Sequence, residues 1–272
     1  MKTATLIILY FLLPAIHSTC QSAGQNFETL QDSIYFKQIV TDTLFDSHQR
    51  ISILMMDKEA LASNQIVFAS QGSELLTTSQ IARSRDALAA INGSFFDMDR
   101  GGSVTYFERN DSVISRTRSS ELKWAVPDSL VNGALVLNKN NTLDIESARK
   151  EEAYECSLSE AFVMISGPLL IDNSAAQQLP DMDFANQRHP RTCVGITRKS
   201  ILFITFDGRT EQAQGMNLME MQKYLLDMGC TDAINLDGGG STCMWISDKG
   251  VVNRPSDKTG ERPVANAILI LK

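Results

Sequence analysis

Histidine is nearly absent. The 272-residue chain carries three, and only His48 and His189 lie beyond the first twenty residues. That excludes a centre built from several imidazoles, so any metal here would be held mainly by oxygen ligands. Positive charge is also in short supply. Against 32 Asp and Glu stand 25 Lys and Arg, a net charge of −7. With no basic cluster along the chain, this balance excludes a nucleic-acid partner. Beyond the first twenty residues no apolar run is long enough to span a bilayer. The cysteines match no zinc spacing. Cys156, Cys193, Cys230 and Cys243 allow three disulfide pairings or four buried thiols, and their positions do not choose. Repeats, low-complexity stretches and a dividing linker are lacking too, which points to a single domain over residues 27–272.

Met1 to Cys20 reads as an export signal. Lys2 supplies the positive start, and Leu6 to Ile16 is an apolar run too short for a stable anchor. Cys20 admits two outcomes: the lipidated first residue of a lipoprotein, or a position near an ordinary cleavage site. The expected location is outside the cytoplasm, periplasmic or envelope-anchored, with membrane contact only through lipid on Cys20.

Short strand-like runs dominate the remainder: Tyr35–Val40, Ile51–Met56, Ile66–Ala69, Ala87–Ile91, Val104–Phe107, Val131–Leu137, Phe162–Ile165, Cys193–Thr197, Ile201–Phe206 and Ala265–Leu271. Helical patterns are few. Thr77 or Thr78 opens one through Arg85. A second is clearer, with Asn217 as cap, Glu220 at the capping-box position, Leu218, Met221, Leu225 and Met228 on one face, and Gly229 as the stop. Strands and helices do not alternate, so the expected class is α+β: one domain, a mixed, largely antiparallel β-sheet system and few helices.

Several strands run into polar, glycine-bearing ends, where chemistry is expected. Asn92-Gly93 precedes Phe95 and Phe96, an amide and rings that suit a sugar, or simply a turn and core filling. In His189-Pro190-Arg191-Thr192, proline pins a loop that carries an imidazole and a guanidinium fork suited to phosphate. Asp207-Gly208-Arg209 ends a very apolar strand; Asp207 is a turn former, a partner orienting Arg209, or an acid. Asn235-Leu236-Asp237 leads into Gly238, Gly239 and Gly240, then Ser241 and Thr242. Three glycines beside an acid carry an entropic cost that a close approach of main chain to a ligand would explain. Arg262 sits in a similar segment before the last strand. Three arginines, two acids and a glycine-rich main chain suit an anionic, hydroxyl-rich ligand such as a sugar phosphate.

The ordered segments NGSFFD, HPRT, DGRT, GMNLMEMQKYLLDMG, NLDGGGST and GERPVANAILIL resemble the phosphodiester glycosidase family, over roughly residues 91–272. The resemblance implies hydrolysis of a sugar-1-phosphodiester to free sugar and a phosphomonoester, acting on envelope or surface glycans. It implies that Asn92, Gly93, Arg191, Thr192, Arg209, Asn235, Gly238, Gly239, Gly240, Ser241 and Thr242 bind substrate, and Arg262 is expected to join them as a third guanidinium. Asp237 is expected to act at the anomeric carbon, with Asp207 second and His189 on the phosphate side. No cofactor is expected; a divalent cation on Asp237 or Asp207 stays an open alternative. Two other functions remain: a conventional exo-glycosidase on neutral glycans, and a non-catalytic glycan-binding envelope protein.

Overall fold

The computed structural model describes residues 26–63, 66–119 and 121–272, so the export-signal reading and Cys20 lie outside the described residues. Three β-sheets make up the frame. The largest has eight strands, and its centre is built from Ser47–Asp57, Ser200–Phe206, Arg191–Thr197 and Cys230–Asn235 in that spatial order. A five-stranded sheet is centred on Ala87–Asn92 and Asn266–Leu271, and another on Gly133–Asn138 and Glu160–Ser166. Every pairing among the described residues is antiparallel, which corrects the expectation of a mixed sheet. Tight turns connect many neighbours. The hairpin between Ile34–Leu44 and Ser47–Asp57 turns on Phe45 and Asp46, both with positive φ.

The sequence ILFITF shows why the central strand lies deep. All of Ser200–Phe206 is buried because both faces of the sheet are covered. Ile201 and Phe203 point into a core shared by all three sheets; Leu202, Ile204 and Phe206 point into a second core under the helix Leu218–Asp227. Burying each such side chain contributes about 1.5–3 kcal/mol relative to exposure. The helix has its capping box: Asn217 Oδ1 accepts from Glu220 N at 2.8 Å, and Glu220 accepts from Asn217 N at 3.1 Å. It buries Leu218, Met221 and Leu225, and Gly229 follows with a φ of 81°. A second capping box, between Thr77 and Gln80, opens the helix Thr78–Ser84.

One strand lies later than its sequence indicates. The run Val104–Phe107 becomes the strand Phe107–Arg109, because hydroxyls upstream occupy the local main chain: Ser103 Oγ donates to the Thr105 carbonyl at 3.0 Å. All four described cysteines are free, with Cys156 exposed and Cys193, Cys230 and Cys243 buried.

Candidate active site

Antiparallel register brings the end of Ser200–Phe206, the start of Arg191–Thr197 and the end of Cys230–Asn235 to one rim of the large sheet, since Arg191 pairs with Phe206 and Cys193 with Asn235. The end of Ala87–Asn92 and the start of Asn266–Leu271 arrive beside it from the neighbouring sheet. Asn92 joins the two. Its Nδ2 donates to the Asp237 carbonyl at 2.7 Å, while its Oδ1 accepts from Thr192 Oγ1 at 2.8 Å and Cys243 N at 3.0 Å.

The loop bearing Asp237 is fastened from both sides. Asp237 N donates to the Gly93 carbonyl at 3.1 Å, and Leu236 N and Gly239 N donate to the Thr192 and Pro190 carbonyls at 2.9 and 2.8 Å. Close approach explains its three glycines. A Cβ on Gly238 would stand 2.7 Å from the Pro190 oxygen and 3.8 Å from Arg191 Cδ. On Gly239 it would stand 3.1 Å from an Arg209 guanidinium nitrogen, and on Gly240 2.1 Å from one of Arg262. Three arginines from three separate segments therefore meet three consecutive glycines.

Their charges are handled differently. Arg262 makes a two-point ion pair with Asp257, at 2.8 and 3.0 Å. Arg191 is 1% exposed and pairs with no carboxylate among the described residues. Its fork is held by the main-chain oxygens of Met216, Phe184 and Gln187, and it lies over the Phe184 ring. Burial and the neighbouring Arg209 bring its pKa down to about 9. A buried cation without a counter-charge is costly, and a bound anion would offset that cost. Arg209 is exposed, also without a carboxylate partner among the described residues. It takes an uncommon backbone with φ 63°.

Asp237 opens onto a cavity of about 280 Å³ that it shares with Arg262, Phe95, Phe96, Met98 and Trp124. Its carboxylate accepts from Gly238 N at 2.9 Å. Dense protein around it raises the carboxyl to about 6, opposed by the Gly238 N–H and the Arg262 charge. A cavity of about 720 Å³ beside Phe27, Leu202 and Met228 has no acid in its lining and carries no comparable chemistry.

Several residues expected to contact a ligand have enclosed side chains. The Thr192 and Asn235 side chains are wholly enclosed, and those of Asn92, Ser241 and Thr242 are each 1% exposed. Asn235 Nδ2 donates to the Gly167 and Leu236 carbonyls at 2.7 and 2.8 Å. These residues shape the loop from beneath. Gly93 does likewise, since a Cβ there would stand 2.1 Å from Asn266 Oδ1. Asp207 is a tether. Its two oxygens accept from Arg254 N, each at 3.0 Å, and it pairs with Arg50 at 3.4 Å instead of orienting Arg209. Burial raises its carboxyl to about 6. His189 is half-buried, and burial with Arg191 and Arg209 lowers its pKa, so it is neutral at pH 7 and adds no charge to the site. Asp257 and Trp124 are functional candidates that the sequence hid; neither stands in a glycine-bearing strand end. No group of three or more His, Cys, Asp or Glu side chains among the described residues is arranged to hold a metal ion.

Residues 85–271 match the family model described as phosphodiester glycosidase. The chain belongs to the phosphodiester glycosidase family. It is 31% identical over 192 residues to the human N-acetylglucosamine-1-phosphodiester alpha-N-acetylglucosaminidase, covering 66% of this chain and 36% of that protein. The mouse enzyme of the same name is 41% identical over 183 residues, covering 62% and 33%. The chain thus spans about a third of the length of the curated relatives it matches. Among solved structures, the zebrafish catalytic domain of that name superposes with a TM-score of 0.68 at 19% identity, covering 88% of this chain and 82% of that one. At that identity the superposition speaks for the fold, and the fold is that of this glycosidase family.

Proposed function

We propose that this family member hydrolyses a sugar-1-phosphodiester at the glycosidic C–O bond, releasing free sugar and a phosphomonoester. The observation that carries the reading is the pairing of two guanidinium groups without carboxylate partners among the described residues, Arg191 and Arg209, with a glycine loop whose Asp237 faces a cavity lined by aromatic rings. The sugar would lie in the cavity and the phosphate over Gly238 and Gly239.

In this reading the bond from C1 to the phosphate oxygen breaks with its electron pair kept on the phosphate, and water oxygen ends on C1, either as the direct nucleophile or by displacing Asp237 from C1 in a second step. Arg209 stabilises that charge directly and Arg191 through its field beneath the loop. A phosphate so held is a good leaving group, so a strong general acid is unnecessary. Asp237, ionised above its raised pKa, supplies the carboxylate at the anomeric side, either attacking C1 or taking the water proton. His189, neutral, can offer a hydrogen bond to a phosphate oxygen.

The proposal extends to an exported protein acting on envelope or surface glycans. That part is supported by Lys2 and the apolar run Leu6–Ile16, and cell fractionation with the mass of the mature N-terminus tests both export and lipid on Cys20. For the activity, incubation with a panel of sugar-1-phosphodiesters should yield equal amounts of sugar and phosphomonoester. Binding without product would leave a glycan-binding protein instead.

A further inference from the structure

Trp124 belongs to two cavities. One is the aromatic cavity over Asp237; the other, of about 520 Å³, is polar and lined by Asp97, Asp99, Arg100, Arg118 and Lys123. The order of residues along the two is informative. Arg191 and Arg209 stand at the Gly238–Gly239 side of Asp237 and do not border its cavity, which Asp237 shares with Phe95, Phe96 and Trp124. Neither unpaired site arginine borders the polar cavity. A sugar with its C1 at Asp237 and its phosphate on the arginines would direct its non-reducing side toward Trp124.

The polar cavity is a built one. Asp97, 2% exposed, accepts from Asp99 N at 2.8 Å, Arg100 N at 3.0 Å and Arg118 Nη1 at 2.6 Å, which pins the turn that carries Asp99 and Arg100. Arg118 also donates to the Lys123 carbonyl at 2.9 Å and so ties that turn to the Trp124 segment. The Trp124 indole N–H donates to Asp99 Oδ2 at 3.0 Å, and Lys123 Nζ binds the same oxygen, so the ring is held in one orientation. Arg100 is exposed and makes no side-chain hydrogen bond or ion pair among the described residues. The Lys123 ammonium lies over the indole, 5.3 Å from the ring centroid. The indole surface left open to the cavity, with the Asp99 carboxylate and the free Arg100 guanidinium, fits a hydroxyl-rich ring, the apolar surface packing on C–H groups and the charged groups bonding hydroxyls.

Resting on the function proposed above, we infer that this cavity is a second sugar subsite, so that the favoured substrate carries at least one further sugar on the non-reducing side of the unit whose C1 is released. Binding energy collected there is remote from the reacting bond and can be drawn on at the transition state.

The test compares methyl phosphodiesters of N-acetylglucosamine with the same compounds extended by one sugar at O3, O4 or O6. At least one extended substrate should show kcat/KM about tenfold or more above the monosaccharide, equivalent to one well-made contact set. Arg100→Ala should lose most of that ratio and leave monosaccharide turnover unchanged; Arg100 is solvent-facing, so the fold is not at risk. Equal kcat/KM for all substrates in the parent protein, or a ratio untouched by Arg100→Ala, overturns the second subsite while the activity stands. Release of sugar from none of them removes both.

Discussion

Asn92 Nδ2 donates to the main-chain oxygen of Asp237 at 2.7 Å, across the junction of two sheets. The same amide accepts from Thr192 and Cys243, so one buried side chain fixes the position of the candidate carboxylate's backbone. Asn92→Ala would leave a hydroxyl and an amide N–H unpaired inside the protein, at about 1–3 kcal/mol each. The expected result is a lower melting temperature and kcat reduced roughly tenfold or more, with a smaller change in KM, as befits misplacement of a reacting group. Steady-state kinetics with a thermal melt decide it, and parent kcat in the variant would refute the assignment.

Arg209 is the exposed member of the arginine pair proposed to hold the phosphate. Arg209→Ala should lower kcat/KM on a sugar-1-phosphodiester by roughly 100-fold, the order found when one donor to developing charge is removed. Stability should change by no more than about 0.5 kcal/mol, since the side chain packs little. Any residual hydrolysis of a neutral aryl glycoside should be unaffected. An equal loss on both substrates would instead favour a conventional exo-glycosidase.

The segments that meet at this rim were legible because strand ends and glycine clusters are local features. Asn217 and Glu220 announced their helix for the same reason, a reciprocal pair three residues apart. The partners of each charge were not legible. Asp207 stands two residues from Arg209 yet pairs with Arg50 and Arg254 N, because the strand Ser47–Asp57 lies beside it in the sheet. Burial was hidden in the same way: Thr192 looks like a loop hydroxyl, but the neighbouring sheet covers it through Asn92. Trp124 and Asp257 carry no local signal, and only the three-dimensional arrangement brings them to Asp237 and Gly240.

Asp237 gives a pH dependence with a defined sign. In the proposed reaction its ionised form is the active one, so kcat/KM should rise with an apparent pKa near 6 and level off above it. Stability runs the opposite way. The folded value, about 6, exceeds the ordinary 3.8, so between them the native state holds a proton that the unfolded chain has lost. Stability from this group therefore falls as pH rises from about 4 to about 6 and stays lower above. Asp237→Asn, inactive, should melt no lower than the parent protein at pH 7.5, and any advantage should vanish at pH 4. A variant markedly less stable at pH 7.5 would contradict this.

His189 offers a reporter for the proposed anion site. With burial and two arginines holding its pKa below the usual 6.5, it should titrate low in the free protein. A phosphate placed over Gly238 and Gly239 would offset the arginine charges and raise that pKa. Imidazole proton shifts followed by NMR across pH, with and without inorganic phosphate, should show the upward move. An unchanged titration at saturating phosphate would place the anion elsewhere.

The most direct test of the account is hydrolysis in ¹⁸O-labelled water, with both products analysed by mass. If the arginines hold the phosphate as leaving group and Asp237 acts at C1, the label enters the sugar hydroxyl and the phosphomonoester stays unlabelled. Label in the phosphate would mean attack at phosphorus, and the roles given to Asp237 and to the aromatic cavity would be wrong.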